Sequence, residues 1–186
     1  MQPLPPFQTR ATPNPNAYLF EFTDLEELAP WPLEARASQQ PTGIELFDRL
    51  LAVEGIERVY VAGNFITAIK SPSVEWFELT VELRSVIRHH LDVAALADPV
   101  RTAALQVPPL SADQPLIHEW FARRILPATE RDGGGIYARA YAQGQLTVEA
   151  VGACAGCPHF GQTVEQGIRL PLAHQLGHNL RIDTTA

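Results

Sequence analysis

Apolar residues recur along the chain in two rhythms, and each change of rhythm marks an element. After the turn-prone run Thr12-Pro13-Asn14-Pro15-Asn16, the segment Ala17-Tyr18-Leu19-Phe20-Glu21-Phe22 reads as a strand. Ile44, Phe47, Leu50 and Leu51 return at helical spacing, and Gly55 closes that helix. Two strands, 56–61 and 65–69, meet at a tight Gly63-Asn64 turn. A second helix starts near Ser73, with Trp76, Leu83, Ile87 and Leu91 along one face. Further on, Ile117, Trp120, Phe121 and Ile125 form another helical stripe, which Pro127 ends or kinks. Asp132-Gly133-Gly134-Gly135 reads as a flexible turn. A strand over 136–142 turns at Gln143-Gly144 into a return strand that alternates, Leu146, Val148 and Ala150 against Gln145, Thr147 and Glu149. Phe160, Val164 and Ile168 at a spacing of four predict a helix, and 180–183 a short final strand at the sheet edge.

Prolines divide this series. Pro99, Pro108, Pro109 and Pro115 crowd the middle of the chain, where fixed φ angles and missing donors argue for a semi-rigid connection. The expected organisation is a first domain over 8–96, a linker over 97–113 and a second domain over 114–186. The fold class is α/β (α+β), two small domains, the second ordered α-β-β-α-β with a Cys-x-x-Cys loop between strand and helix. The stretch from Glu26 to Thr42, with Pro30, Pro32 and Pro41, reads as a loop within the first domain.

Composition narrows the chemistry. The 186 residues are 46% hydrophobic and 19% charged, enough apolar content for packed cores, so a disordered chain is excluded. The net charge is −7, with Lys70 the only lysine, which argues against broad nucleic-acid binding. The apolar runs are too short to cross a membrane, and the start has neither a basic nor a greasy region, so no signal peptide is expected and the expected location is cytoplasmic. The chain has 2 cysteines, and both fall in Cys154-Ala155-Gly156-Cys157. That pattern reads as metal or redox chemistry, not as a structural disulfide.

The loop Gly152-Ala153-Cys154-Ala155-Gly156-Cys157-Pro158 lies at the exit of a strand and the entry of a helix. Pro158 suits a first helical position, which would put Cys157 at the N-cap, where the helix dipole favours thiolate. Two thiolates are half of what an iron–sulfur cluster or a structural zinc site takes, about four. A cluster without outside ligands therefore requires two chains to meet at their Cys154/Cys157 loops, an easily opened arrangement that suits a carrier or scaffold.

The loop, with Asp132-Gly133-Gly134 upstream and Thr163-Val164-Glu165-Gln166-Gly167-Ile168 downstream, resembles the NifU C-terminal domain of Nfu-type iron–sulfur scaffold proteins. The first half resembles the Nfu N-terminal domain through Thr12 to Ala17, Leu46-Phe47, Gly55-Ile56, Val59-Tyr60, Asn64 to Thr67, Lys70 and Trp76. The resemblance implies a non-enzymatic scaffold or carrier that binds a [4Fe–4S] cluster between the subunits of a homodimer. Cys154 and Cys157 carry over as the ligands. The cluster would arrive from upstream assembly proteins and pass to recipient apoproteins, with the first domain serving recipient recognition. A [2Fe–2S] cluster needs the same number of thiolates, so the count alone does not choose between them. Two positions differ from the family pattern: Gly135, where a polar or acidic residue is usual, and Pro171, which is expected to interrupt the last helix.

The same thiol pair is open to a thiol–disulfide oxidoreductase or to a zinc-binding interaction module, although an antiparallel hairpin before the motif does not resemble a thioredoxin fold. The other polar residues have plainer readings. His159 is a polar residue of a first helical turn, His174 and His178 are solvent-exposed, and His89-His90 complements a helix end. Lys70 reads as a surface residue at a strand end, Phe160 as core, and Asp132 to Gly135 as an ordinary turn. No nucleophile–base set or carboxylate pair stands at hydrolase spacing.

Overall fold

The computed structural model describes residues 5–107 and 114–185. The first domain is a five-stranded antiparallel sheet in the order β1-β2-β5-β4-β3, formed by β1 (Phe7–Ala11), β2 (Ala17–Phe22), β3 (Leu33–Arg36), β4 (Ile56–Ala62) and β5 (Phe65–Lys70). Helices α1 (Glu45–Leu51) and α2 (Trp76–His90) cover one face and α3 (Val93–Leu96) follows. Alternate residues of the strands, Phe20 and Phe22, Val59 and Val61, Ile66 and Ala68, point into a core with Phe47, Leu50, Leu83 and Ile87.

Two of these strands fall where the sequence pattern predicts none. β3 lies inside the expected 26–42 loop, between Pro32 and a 3-10 turn, and pairs with β4 at the sheet edge. Prolines beside an edge strand cost no ladder bond, so their presence did not exclude it. β1 precedes the Pro-Asn turn and pairs with β2 in full register, with Phe7 packed on Phe20 and Phe22. Of the expected linker, 97–107 packs on the first domain: Gln106 bridges Leu33, and the Val107 N–H donates to the Pro32 carbonyl at 2.9 Å. Pro108, Pro109 and the residues up to 113 lie outside the described residues.

The second domain has helices α4 (Pro115–Arg124) and α5 (Leu126–Arg131), then the hairpin β6 (Gly134–Ala142) and β7 (Gln145–Gly152). The final strand β8 (Arg181–Thr185) runs parallel to β7 at the sheet edge. The core joins Ile117, Trp120 and Phe121 to Ile136, Leu146, Val148, Ile168 and Leu172. Gly134 and Gly135 belong to β6, paired with Gly152 and Val151, and are not part of a flexible turn. Only Asp132 and Gly133 turn. The ring of Tyr137 lies where a side chain at Gly135 would project, which accounts for the glycine at that position.

The last helix also departs from expectation. It runs from α6 (Phe160–Gln162) through a π-helical segment (Thr163–Arg169) into α7 (Leu170–Leu176), past Pro171, and ends at Gly177 with φ 72°. The Leu170 N–H reaches back five residues to the Glu165 carbonyl. Pro171 has no N–H to donate, and the widened turn before it lets the helix continue without the usual break.

The two domains are packed together. The odd-numbered positions of β5 (Phe65, Thr67 and Ile69) and Tyr60 of β4 face away from α1 and α2 and are buried against the second domain. Leu19, Tyr60, Ala62 and Phe65 form one apolar cluster with Val107 and Val151, and Ala17 and Ile69 form another with Ala153. The first sheet is thus covered on both faces, which is why β5, Phe-Ile-Thr-Ala-Ile-Lys, shows no polar alternation.

Candidate functional site

The end of the β6–β7 hairpin carries both thiols. β7 finishes at Gly152, whose φ of 57° turns the chain into Ala153 to Gly156. Short-range bonds close the loop: Cys154 N–H to Val151 O at 3.2 Å, Ala155 N–H to Gly152 O at 3.1 Å, and Cys157 N–H to Cys154 O at 3.3 Å. The Ala153 N–H donates across the hairpin to Gly133 O at 3.0 Å. Cys154 and Cys157 are both half-buried free thiols, and both line one pocket of about 150 Å³. Ala128 and Thr129 of α5, Asp132, Ile136, His159 and Phe160 complete its walls on the second-domain side.

Close approach makes this geometry possible. A Cβ on Gly134 would stand 2.5 Å from the Cys154 amide nitrogen and 2.8 Å from its Sγ. A Cβ on Gly152 would stand 2.6 Å from the Tyr60 ring and 2.7 Å from the Gly133 carbonyl, in addition to the strain of its positive φ. The glycines of Asp-Gly-Gly and Val-Gly-Ala are therefore the space that the thiol loop and the first domain occupy.

The expectation of a Cys157 N-cap is corrected. The helix starts at Phe160 with His159 as its N-cap, and Pro158 lies in a preceding turn, because the Phe160 N–H is taken by the Cys157 carbonyl at 3.1 Å. The environment of the other thiol, Cys154, disfavours thiolate. Burial, with electrostatic repulsion from Cys157 and Asp132, pushes the Cys154 thiol up to about 12.

The first domain supplies the remaining wall, Pro13 and Asn14. Asn14 is only 1% exposed, and its side-chain amide donates to both Ala153 O at 3.0 Å and Ala155 O at 3.1 Å. Its Oδ1 accepts the Asn16 N–H at 3.0 Å. Around the loop, Thr67 Oγ1 donates to Gly133 O at 2.7 Å, Tyr60 OH meets Tyr137 OH at 3.0 Å, and Gly152 N–H donates to Glu34 Oε1 at 2.9 Å. Burial raises the Glu34 carboxyl above its ordinary range, against the Gly152 N–H, Arg58 and Arg36, which lower it.

Asn14, Glu34, Tyr60 and Thr67 were not singled out as site residues from the sequence. The signal for Asn14 was the rigid Thr-Pro-Asn-Pro-Asn run; for Tyr60 and Thr67 it was polar groups within otherwise apolar strands. Lys70 is not a surface residue. It is 5% exposed, with Nζ bonded to Asn16 Oδ1 and Ser71 O, both at 3.3 Å, and 5.5 Å from the Trp76 ring centroid, so it braces the turn that presents Asn14. His178 bonds Tyr141 OH at 2.7 Å, which accounts for it structurally. Among the described residues no group of three or more His, Cys, Asp or Glu side chains is placed to hold a metal ion.

Fold and site define a two-domain α+β protein that presents two free thiols on one turn at the junction of its domains. Residues 7–94 match the family described as "Scaffold protein Nfu/NifU N terminal", and residues 117–183 match the "NifU-like domain". The chain belongs to this Nfu/NifU-like family. It is 27% identical over 177 residues to "NifU-like protein 4, mitochondrial" of Arabidopsis thaliana, covering 90% of this chain and 61% of that protein. It is 30% identical over 180 residues to the "NFU1 iron-sulfur cluster scaffold homolog, mitochondrial" of Drosophila virilis, covering 87% of this chain and 55% of the relative. The chain thus spans a little over half the length of these relatives. The solution structure of a NifU-like protein from Saccharomyces cerevisiae shares 24% identity over 47% of this chain and 79% of that one, with a TM-score of 0.42. The cytoplasmic expectation is overturned, since both curated relatives are named mitochondrial proteins.

Proposed function

We propose that the chain is an iron–sulfur cluster scaffold or carrier, as its relatives' names describe them, and works by ligand exchange rather than turnover catalysis. Its cargo is a [4Fe–4S] cluster held by Cys154 and Cys157 of one chain and the same pair of a second chain. The observation that carries this reading is the ligand count at the pocket: two free thiols on one turn, and, among the described residues, no group of three or more His, Cys, Asp or Glu placed to hold a metal ion. About four thiolates are needed, and a second copy of the loop supplies the missing two. Phe160 and Ile136 beside the thiols give the cargo an apolar wall that limits water access. Release to an apoprotein then requires only that the recipient's thiolates replace those of one loop at a time.

Anaerobic reconstitution with iron and sulfide tests the reading. The expected product has about four irons and four sulfides per two chains, and Cys157→Ser abolishes it. A product that takes up zinc but no cluster would support the interaction module. A metal-free monomer that cycles a Cys154–Cys157 disulfide would support the oxidoreductase. Either result overturns the proposal.

A further inference from the structure

The turn between β1 and β2 reaches across the junction and holds the thiol loop itself. Asn14 is a fully buried side chain whose two amide hydrogens are both spent on carbonyls of that loop, Ala153 and Ala155, the residues on either side of Cys154. Its remaining acceptor is fixed by the Asn16 N–H, and Asn16 is in turn held by Lys70, through its backbone carbonyl and its Oδ1. Thr12 Oγ1 closes the same turn on Asn14 O and Ala17 O. An asparagine that donates twice while accepting locally is the side chain this geometry requires: aspartate fits the space but has no hydrogens to give.

We propose that Asn14 is a positioning residue for the thiol loop, holding the carbonyls of Ala153 and Ala155, the residues on either side of Cys154, so that Cys154 stays sheltered at the domain junction while Cys157 sits at the outer end of the turn. This deepens the scaffold reading and rests on it for its purpose. The first domain is then part of the cargo site, and its contact sets how readily Cys154 is reached by a second chain or by a recipient. Parting the Asn14 contact frees the loop without dismantling either core.

The test is site-resolved alkylation of the metal-free full chain, followed by peptide mapping, with Asn14→Asp as the variant. In the parent chain Cys157 reacts faster than Cys154. Asn14→Asp keeps the acceptor for Asn16 and removes both donors, so Cys154 is expected to react about tenfold faster while Cys157 stays within about twofold. Thr67→Val weakens the same junction at Gly133 but leaves the loop carbonyls bonded, and is expected to move Cys154 by less than about threefold. An unchanged Cys154 rate in Asn14→Asp, or equal acceleration of both cysteines, would overturn the proposal. If the aspartate variant does not fold, amide exchange in the parent chain decides: Cys154 and Ala155 exchange as slowly as the β6–β7 ladder if the loop is held. Exchange as fast as at the Gln143-Gly144 turn overturns it. Neither readout involves a cluster, so failure here leaves the reconstitution result standing, and failure of reconstitution leaves this one intact.

Discussion

Gly134→Ala probes how the fold sets the position of Cys154. The added methyl would stand 2.5 Å from the Cys154 nitrogen, 2.8 Å from its Sγ and 2.8 Å from the Val151 carbonyl oxygen. Ordinary heavy-atom contact is about 3.5 Å, so the loop must retreat by roughly 1 Å. It is not free to do so, because Ala153 N–H is bonded to Gly133 O and the two neighbouring carbonyls are bonded to Asn14. Overpacking of this kind costs about 1–3 kcal/mol, and loss of one of those bonds adds about 1 kcal/mol. The expected destabilisation is therefore about 2–4 kcal/mol. Urea unfolding followed by tryptophan fluorescence reads it as a lower midpoint at unchanged slope. Cluster loading should fall in the same variant, because one of the two thiols is displaced. Stability within about 0.5 kcal/mol of the parent, with normal loading, would refute the close-approach argument.

Three further outcomes follow from the same contacts. Gly152→Ala combines a positive φ with a methyl 2.6 Å from the Tyr60 ring; it should cost about 2–4 kcal/mol by thermal unfolding, and a loss below about 1 kcal/mol would contradict the packing of Tyr60 on the hairpin. Glu34 carries a raised carboxyl in the folded state, so the folded chain keeps its proton to higher pH than the unfolded one. Stability from this group is full at low pH and falls as pH rises from the ordinary carboxylate range through the raised value. Glu34→Gln, which retains an acceptor for Gly152 N–H, should flatten that decline, leaving the share due to Glu130, also raised by burial; an unaltered pH slope would show that Glu34 is not buried at the junction. Tyr60→Phe strands the Tyr137 hydroxyl and should cost about 1–3 kcal/mol in urea unfolding, with no change expected for a hydroxyl that meets only water.

The helices, the central hairpins and the thiol turn were legible because each repeats a local rule: apolar spacing of three and four, alternation with a two-residue turn, and glycines before and within Cys-x-x-Cys. β3 and β1 were not, since a short edge strand beside prolines has no periodicity to read, and its pairing depends on β4 and β2 elsewhere in the chain. Passage of the last helix through Pro171 depends on a π-helical register that a proline alone does not announce. The place of the helix start was misread for a similar reason: Pro158 suits a first helical position, but the Phe160 N–H is taken by the Cys157 carbonyl and the helix begins two residues later. The shift at Cys154 has no local signal, since it comes from burial and from nearby Cys157 and Asp132. Asn14 was visible only as part of a rigid turn, because its partners, Ala153 and Ala155, lie 139 and 141 residues away. What the residues did carry without tertiary help was the arithmetic of two thiols against about four ligand positions.

That arithmetic is tested most directly by native mass spectrometry of the anaerobically reconstituted chain. The account predicts that iron appears only in the dimer, about four irons per dimer, and that Cys154→Ser and Cys157→Ser each yield iron-free monomer under the same conditions. A monomer carrying a complete cluster would contradict it.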